Sequence, residues 1–303
     1  MANEPASPPS WQSKCAYNIF KLMGMMPLNV LRNMGLAIGY LLWKQKGQTY
    51  KITKKNIELC FPDISSDEQQ ALTRRSILET AMGAAEFTKV WTSPWQQTRQ
   101  HIKAVHGGDL FQQAVASEQG TIVLAPHLGN WEVLNYYLAE QTEMTVLYQP
   151  AKQQSLDWVV KVSREASGSK AVPTSVRGVM TLSKTLKAGG STGILPDQQP
   201  ELSGGTYAPF FGQTALTINL IDSLSKKNNC TLLMGYAKRV KDGFEIIFSE
   251  PDPAIYAEEK LEAITAMNRS VERCVRECPE QYQWEYKRFN KQPEGNVRPY
   301  KGL

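Results

Sequence analysis

The sequence predicts an α/β fold in which a mixed central sheet is flanked by helices and preceded by an N-terminal membrane-associated helical segment. Three observations carry this reading. Thr121-Ile122-Val123-Leu124-Ala125 is a short apolar run rich in β-branched residues, stopped by Pro126 and followed from Trp131 by the helix-like WEVLNYYLAEQ. Strand-like and helix-like segments continue to alternate downstream. Ala16 to Trp43 is apolar and aromatic in a chain whose mean hydropathy, −0.38, excludes a polytopic membrane protein.

Taken in order, the N-terminal segment reads AYNIFKLMGMMPLNVLRNMGLAIGYLLW, with Pro27 and Arg32 inside it. A spanning helix needs about 20 apolar residues with few charges, so Arg32 argues against a clean span. No small-residue cleavage site follows, which argues against a signal peptide. Three readings stay open: a poor span, a helical hairpin lying in the interface, or a buried helix pair. Tyr40, Trp43 and the lysines at 44, 46, 51, 54 and 55 resemble an interfacial belt with a basic flank and favour membrane attachment. If the segment spans, that flank places the main domain in the cytoplasm. The expected organisation is therefore a membrane-anchoring segment, 1–45, and one catalytic domain, 46–303.

After Phe61-Pro62, Ser66 and Gln69 stand in capping-box spacing and open a long helix over about 67–91. A polar stretch leads to the strand at Thr121. Met144 to Tyr148 and Gly193 to Leu195 read as strands, and Ser155 to Ala166 and Ser175 to Ala188 as helices. Leu216 to Lys226 reads as a helix, Thr231 to Arg239 and Phe244 to Ser249 as paired strands, and Ala257 to Cys278 as a long helix. The five cysteines form no CxxC pair, and Cys274 and Cys278 read as packed thiols on one helix face. Three histidines argue against a His-rich metal site. The formal charge of +5 is scattered and does not by itself choose among anionic lipid, an acidic protein and nucleic acid.

The chemistry-bearing motif is Ala125-Pro126-His127-Leu128-Gly129-Asn130-Trp131-Glu132. It lies where a strand ends and a helix begins, the place at which open α/β sheets bind ligands. An imidazole there suits proton transfer near neutral pH. Glu132 falls in the first helical turn, and a tight turn at Gly129 would return its carboxylate to His127. A histidine capping a helix beside a surface acid is the bland alternative, and the residues alone do not separate the two.

HLGNWE resembles the His-x4-Glu signature of the lysophospholipid and glycerolipid acyltransferase superfamily, in the form used by its bacterial lipid A late-acyltransferase branch. Asn56 with Cys60-Phe61-Pro62, Tyr148-Gln149-Pro150 with Leu156-Asp157 and Arg164, Ile194-Leu195-Pro196-Asp197-Gln198, Phe210-Phe211-Gly212, and Pro279-Gln281-Trp284-Lys287-Arg288-Phe289 resemble further blocks of that branch. Gln149 stands where arginine is frequent. The resemblance implies a glycerolipid acyltransferase-like fold, no cofactor and no nucleic-acid partner. It implies a fatty acyl chain carried on acyl carrier protein as donor, a lipid A precursor as acceptor, and an inner-membrane location with the catalytic domain facing the cytoplasm. His127 is then the general base and Glu132 its partner, with no acyl-enzyme. Gly129 and Asn130 backbone N–H groups or Arg164 serve as oxyanion donors, Asp197 positions a sugar hydroxyl or an arginine, and Arg288 contacts substrate or packs.

Other readings are weighed beside it: an acyltransferase for another membrane glycolipid or phospholipid, a non-catalytic lipid-binding protein, and a serine esterase using Ser191 in Gly189-Gly190-Ser191-Thr192-Gly193. A nucleophile elbow needs a strand before the serine and a helix after it, whereas the pattern here is reversed.

Overall fold

The computed structural model of the chain describes residues 11–148 and 167–303. The helix expected over Ser155–Ala166, Gln149 and Arg164 lie outside the described residues.

The chain opens with helices α1 (Trp11–Gly24) and α2 (Leu28–Gln45), then α3 (Gln48–Cys60), the 27-residue α4 (Ser66–Thr92) and the short α5 (Trp95–Arg99). Strand β1 (Ile102–His106), α6 (Gly108–Ala116), β2 (Thr121–Leu124), α7 (Trp131–Gln141), β3 (Thr145–Tyr148), β4 (Lys170–Pro173), α8 (Val176–Lys187) and β5 (Ser191–Ile194) follow. Next come the hairpin β6 (Gly205–Phe210) and β7 (Gln213–Ile218), α9 (Leu220–Asn228), β8 (Thr231–Val240), β9 (Gly243–Ser249) and α10 (Lys260–Glu277).

The central sheet has the order β1-β9-β8-β2-β5. β2 runs parallel to both β5 and β8, β9 turns back antiparallel to β8, and β1 is parallel to β9. The sheet is mixed, as the sequence predicts. Both faces of β2 are buried, and its alternate residues serve two cores: Ile122 and Leu124 join one cluster with Leu232, Met234 and Trp284, while Val123 joins another with Leu233, Phe111 and Val133. That explains a continuous apolar run in place of alternation. Met144 bridges to Ser191, so the β3–β4 pair continues the sheet past β5.

Several expectations shift. The capping box that starts α4 is formed by Ser65 and Glu68, one residue earlier than read: the Ser65 N–H donates to Glu68 Oε2 at 2.8 Å and the Glu68 N–H to Ser65 Oγ at 3.3 Å. Leu216–Ile218 belongs to β7, not to the following helix, because Ala215 and Leu216 are buried against the core in hairpin register. The stretch before Thr121 holds β1 and α6, and α3 and β4 were also missed. Cys274 and Cys278 are buried free thiols, pushed up to about 12 by burial.

Helices α1 and α2 fold back onto α4. At Gly35 a Cβ would lie 2.7 Å from Met82 Cα, so α2 approaches α4 closer than any side chain permits. Arg32 is not a stray charge in a span. It is buried, with Nε 2.7 Å from Glu86 Oε1 of α4, and its Nη atoms donate to the carbonyls of Val240, Lys241 and Gly243 in the β8–β9 hairpin. No helix among the described residues is long and apolar enough to cross a membrane. The outward faces of the two helices are nonetheless apolar: Leu22 is 66% exposed, Ile38 51% and Leu41 60%. Lys44 lies over the rings of Tyr40 and Trp43 at one end of this face. The boundary expected at 45 falls at the turn between α2 and α3, where Lys46 adopts φ 50°.

Candidate active site

β2 and β5 are parallel neighbours in register, with Leu124 opposite Ile194, and the Ala125 N–H donates to the Ile194 carbonyl at 2.9 Å. His127 and Asp197 each stand three residues beyond those paired ends (127 − 124 = 197 − 194 = 3), so two loops leaving adjacent strands bring them together. Asp197 holds His127 twice: its Oδ2 accepts the His127 backbone N–H at 2.9 Å, and its Oδ1 lies 2.8 Å from Nδ1. Asp197 is buried. Burial pushes its carboxyl pKa up, but the charge of His127, its ring and backbone N–H donors and the Arg288 guanidinium outweigh burial and hold it below the ordinary carboxylate range.

An ionised Asp197 at Nδ1 fixes the proton there and leaves Nε2 as the basic nitrogen. The Gln198 amide reaches Nε2 at 3.1 Å and also donates to Gln283 Oε1 at 3.1 Å. The imidazole packs against the edge of Trp131, with centroids 5.0 Å apart, and Trp131 meets Phe87 of α4. His127 opens onto a cleft of about 190 Å³ whose walls include Thr80, Phe87, Trp131, Gln283 and Glu285. Burial raises the Glu285 carboxyl above its ordinary range.

The turn after His127 is rigid. Gly129 sits at φ +63°, and a Cβ there would overlap the Ala237 carbonyl oxygen. Its N–H donates to the Gln281 carbonyl at 3.1 Å, and the Asn130 N–H to the Ala237 carbonyl at 2.8 Å. Both N–H groups are thus directed at protein carbonyls, not at the cleft where oxyanion donors were expected. Asn130 instead caps α7, its Oδ1 accepting from the Val133 N–H at 3.1 Å, while its Nδ2 donates to Glu86 at 3.0 Å.

The acid hydrogen-bonded to His127 is Asp197, a contact that the sequence reading did not assign to it. Glu132 is in the first turn of α7, buried to 3% exposure, and lines a small, mainly apolar cavity with Leu134, Leu138, Val146 and Leu195. Arg288 is buried as well: it donates to the Leu216 carbonyl and to Thr217 Oγ1, and its charge acts on Asp197. It braces the site from behind. Ser191 begins β5 and is fully buried in the sheet, with no helix following it, so it has neither the exposure nor the turn of a nucleophile.

Sequence reading missed Gln198, Tyr282 and Gln283. The segment carrying Tyr282 and Gln283 follows α10 and laces onto the motif: Leu128 bridges to Tyr282, and the Gln283 N–H donates to the His127 carbonyl at 3.0 Å. Asn56 holds the same segment, donating to the Trp284 and Tyr286 carbonyls. Gln198 was visible as part of a block beside Asp197. The segment carrying Tyr282 and Gln283 lay within the Pro279–Phe289 block, but its contact with His127 had no local signal.

Comparison with known proteins identifies the family. The family model for bacterial lipid A biosynthesis acyltransferases matches residues 7–291. The chain is 26% identical over 297 residues to a lipid A biosynthesis palmitoleoyltransferase of Escherichia coli (strain K12), covering 97% of this chain and 95% of that one. It is 23% identical over 292 residues to the lauroyltransferase of the same organism, with 95% and 94% covered. A lipid A biosynthesis acyltransferase of Haemophilus influenzae is 22% identical over 296 residues. The chain belongs to the bacterial lipid A biosynthesis acyltransferase family.

Proposed function

We propose that this enzyme transfers a fatty acyl chain from an acyl carrier protein thioester to a hydroxyl of a lipid A precursor, with His127 as general base. The observation that carries the reading is an imidazole whose Nδ1 is committed to a buried, ionised Asp197 while the ring opens on a cleft. The acceptor hydroxyl displaces the Gln198 amide from Nε2 and gives up its proton there as its oxygen attacks the thioester carbonyl. The new C–O bond forms, the C–S bond breaks, and the imidazolium returns the proton to the departing thiolate. A thioester is already activated, so no acyl-enzyme is needed. Asp197 stabilises the imidazolium. Glu132 serves as a second carboxylate in the apolar cavity behind Trp131, and Arg164, on the resemblance alone, as a charged donor to the oxyanion.

Residues 1–45 are proposed as the membrane-attachment segment and 46–303 as the catalytic part, at the inner membrane and facing the cytoplasm. The outward apolar faces of α1 and α2 support an interfacial hairpin. Its attachment is best tested by Leu22→Ser with Leu41→Ser. Deleting the segment would also remove Arg32 from Glu86 and confound anchoring with folding.

Detergent-solubilised enzyme given acyl carrier protein thioester and an under-acylated lipid A precursor should yield a product one acyl chain heavier by mass spectrometry. His127→Ala should lower the rate by at least about a thousandfold. Turnover surviving in that variant at the wild-type rate would refute the assignment.

A further inference from the structure

A second cavity, of about 530 Å³, lies between the α1–α2 turn, Lys89 of α4, the loop from α5 to β1 and the β8–β9 hairpin. Its polar lining includes Asn29, Lys89, His101, Lys103, Lys241 and Asp242. It shares no lining residue with the cleft at His127.

Its charges are unbalanced. Arg32, which also borders the cavity, is neutralised by Glu86, whereas Lys89, Lys103 and Lys241 face a single lining carboxylate, Asp242. Among the described residues neither Lys103 nor Lys241 makes a salt bridge. The N-terminus of the 18-residue α2 also opens here through Leu28 and Asn29, with no acidic residue in its first turn; Asn29 Oδ1 accepts the Val30 N–H, and the Pro27 N-cap supplies no side-chain acceptor for the N–H groups of Leu28 and Asn29. His101 reports the same field: burial, and then the charges of Lys89, Lys103 and Arg32, lower its pKa.

The frame is built to hold this shape. Lys89 is buried, and Nζ donates to the Gly24 and Met26 carbonyls at 2.9 and 3.0 Å, closing the α1–α2 turn. Arg32 clamps the hairpin that carries Lys241. The volume greatly exceeds what a lone phosphate needs, given about 30 Å³ for a water. Met25, 75% exposed, lies on the rim and continues the apolar outer face of α1 and α2.

We propose that this cavity binds the phosphate and headgroup of an anionic bilayer phospholipid, seating the α1–α2 hairpin at a defined depth beside its apolar face. Lys103 and Lys241 supply the charge, the α2 N-terminus supplies N–H donors, and Lys89 fixes the geometry. The inference rests on the proposed membrane attachment but not on the acyl-transfer chemistry, which is read separately in detergent.

The test is flotation of the full chain with phosphatidylcholine vesicles, with and without about 30% phosphatidylglycerol, for the wild type and for Lys103→Ala/Lys241→Ala. Lys227→Ala/Lys260→Ala, at the opposite end of the sheet, is the charge-matched control. Binding to the phosphatidylglycerol vesicles should fall about 30-fold in the cavity variant and less than about threefold in the control, with acyl transfer in detergent unchanged. Equal losses in both variants would reduce the effect to net charge and overturn the site. A rise confined to KM for the acceptor, with flotation unchanged, would give the cavity to the acceptor and overturn the bilayer assignment. So would inorganic phosphate shifting the His101 NMR signals while vesicle binding stays indifferent to phosphatidylglycerol. Failure of the chain to float with either vesicle would overturn the attachment itself.

Discussion

Two regions of the molecule set a nitrogen-bearing side chain against a buried acid supplied from far along the chain. In the active-site turn, His127 meets Asp197, 70 residues on; in the N-terminal hairpin, Arg32 meets Glu86, 54 residues on. The difference lies in what is left over. Arg32 uses Nε on Glu86 and both Nη atoms on backbone carbonyls, so its charge is spent on holding α2, α4 and the β8–β9 hairpin together. His127 commits only one ring nitrogen to its acid and presents the other to a side-chain amide beside a cleft. A saturated buried charge is structural, whereas one with an exchangeable partner at a cavity is equipped for chemistry.

The largest effect should come from the active-site pair. Asp197→Asn keeps the shape but removes the charge that fixes the tautomer, and kcat should fall about 10⁴-fold. Glu132→Gln, assayed in parallel, sharpens the assignment. If the Glu132 variant loses as much as the Asp197 variant while circular dichroism shows both folded, the imidazole depends on two acids and not on one.

Glu86→Gln is the corresponding cut in the hairpin and should act on stability, by about 3–5 kcal/mol, because it leaves Arg32 buried without its counter-charge. Denaturant titration in detergent measures it, and kcat per folded molecule should be retained. Burial alone would raise the Glu86 carboxyl, but the charges of Arg239 and Arg32 and the Asn130 amide hold it below its ordinary value. The unfolded carboxyl titrates at about 4.3, so the stabilisation is complete above that pH and is lost as pH falls through the lower folded value. The wild type should therefore lose stability more steeply than Glu86→Gln as pH falls from about 4.3 towards the lower folded value. Equal slopes would remove Glu86 from the acid limb.

Gly129→Ala should cost about 2–4 kcal/mol, since a methyl group meets the Ala237 carbonyl and φ +63° strains any residue with a Cβ. Activity should fall with it, as the turn positions His127. A variant that is destabilised yet fully active would show that the imidazole is held by Asp197 alone.

What was legible in the sequence followed the range of the interaction. β2, α7 and the turn between them were readable because apolar run, Pro126 and helix signal are contiguous. His127 was found for the same reason. Glu132 was paired with it because it is close along the chain, whereas the acid that reaches Nδ1 comes from the loop after β5, through the parallel register of two strands. That register is a property of the sheet and has no local sequence mark. Asp197 was seen, but as a sugar or arginine contact. Arg32 argued against a clean span, but its partner was not legible because Glu86 lies on another helix. Likewise β7 was absorbed into a helix because Ala215, Leu216 and Thr217 are buried on both sides, which erases the alternation that marks a strand.

The smallest effect concerns the element the two regions share. α4 gives Glu86 to the hairpin and Thr80 and Phe87 to the cleft, so its register sets both. That register begins at the Ser65–Glu68 box, where Ser65 Oγ accepts one of the otherwise unpaired first-turn N–H groups. Ser65→Ala should cost about 1 kcal/mol by denaturant titration, and Ser66→Ala, one residue inside the helix, a few tenths at most. Neither should alter kcat, because Glu86 and Phe87 lie about six turns along the helix from the cap and are held there by their own partners. A larger loss from Ser66 than from Ser65 would move the start of α4. A change in kcat with either would mean that the cleft feels the helix end, joining two regions that otherwise respond separately.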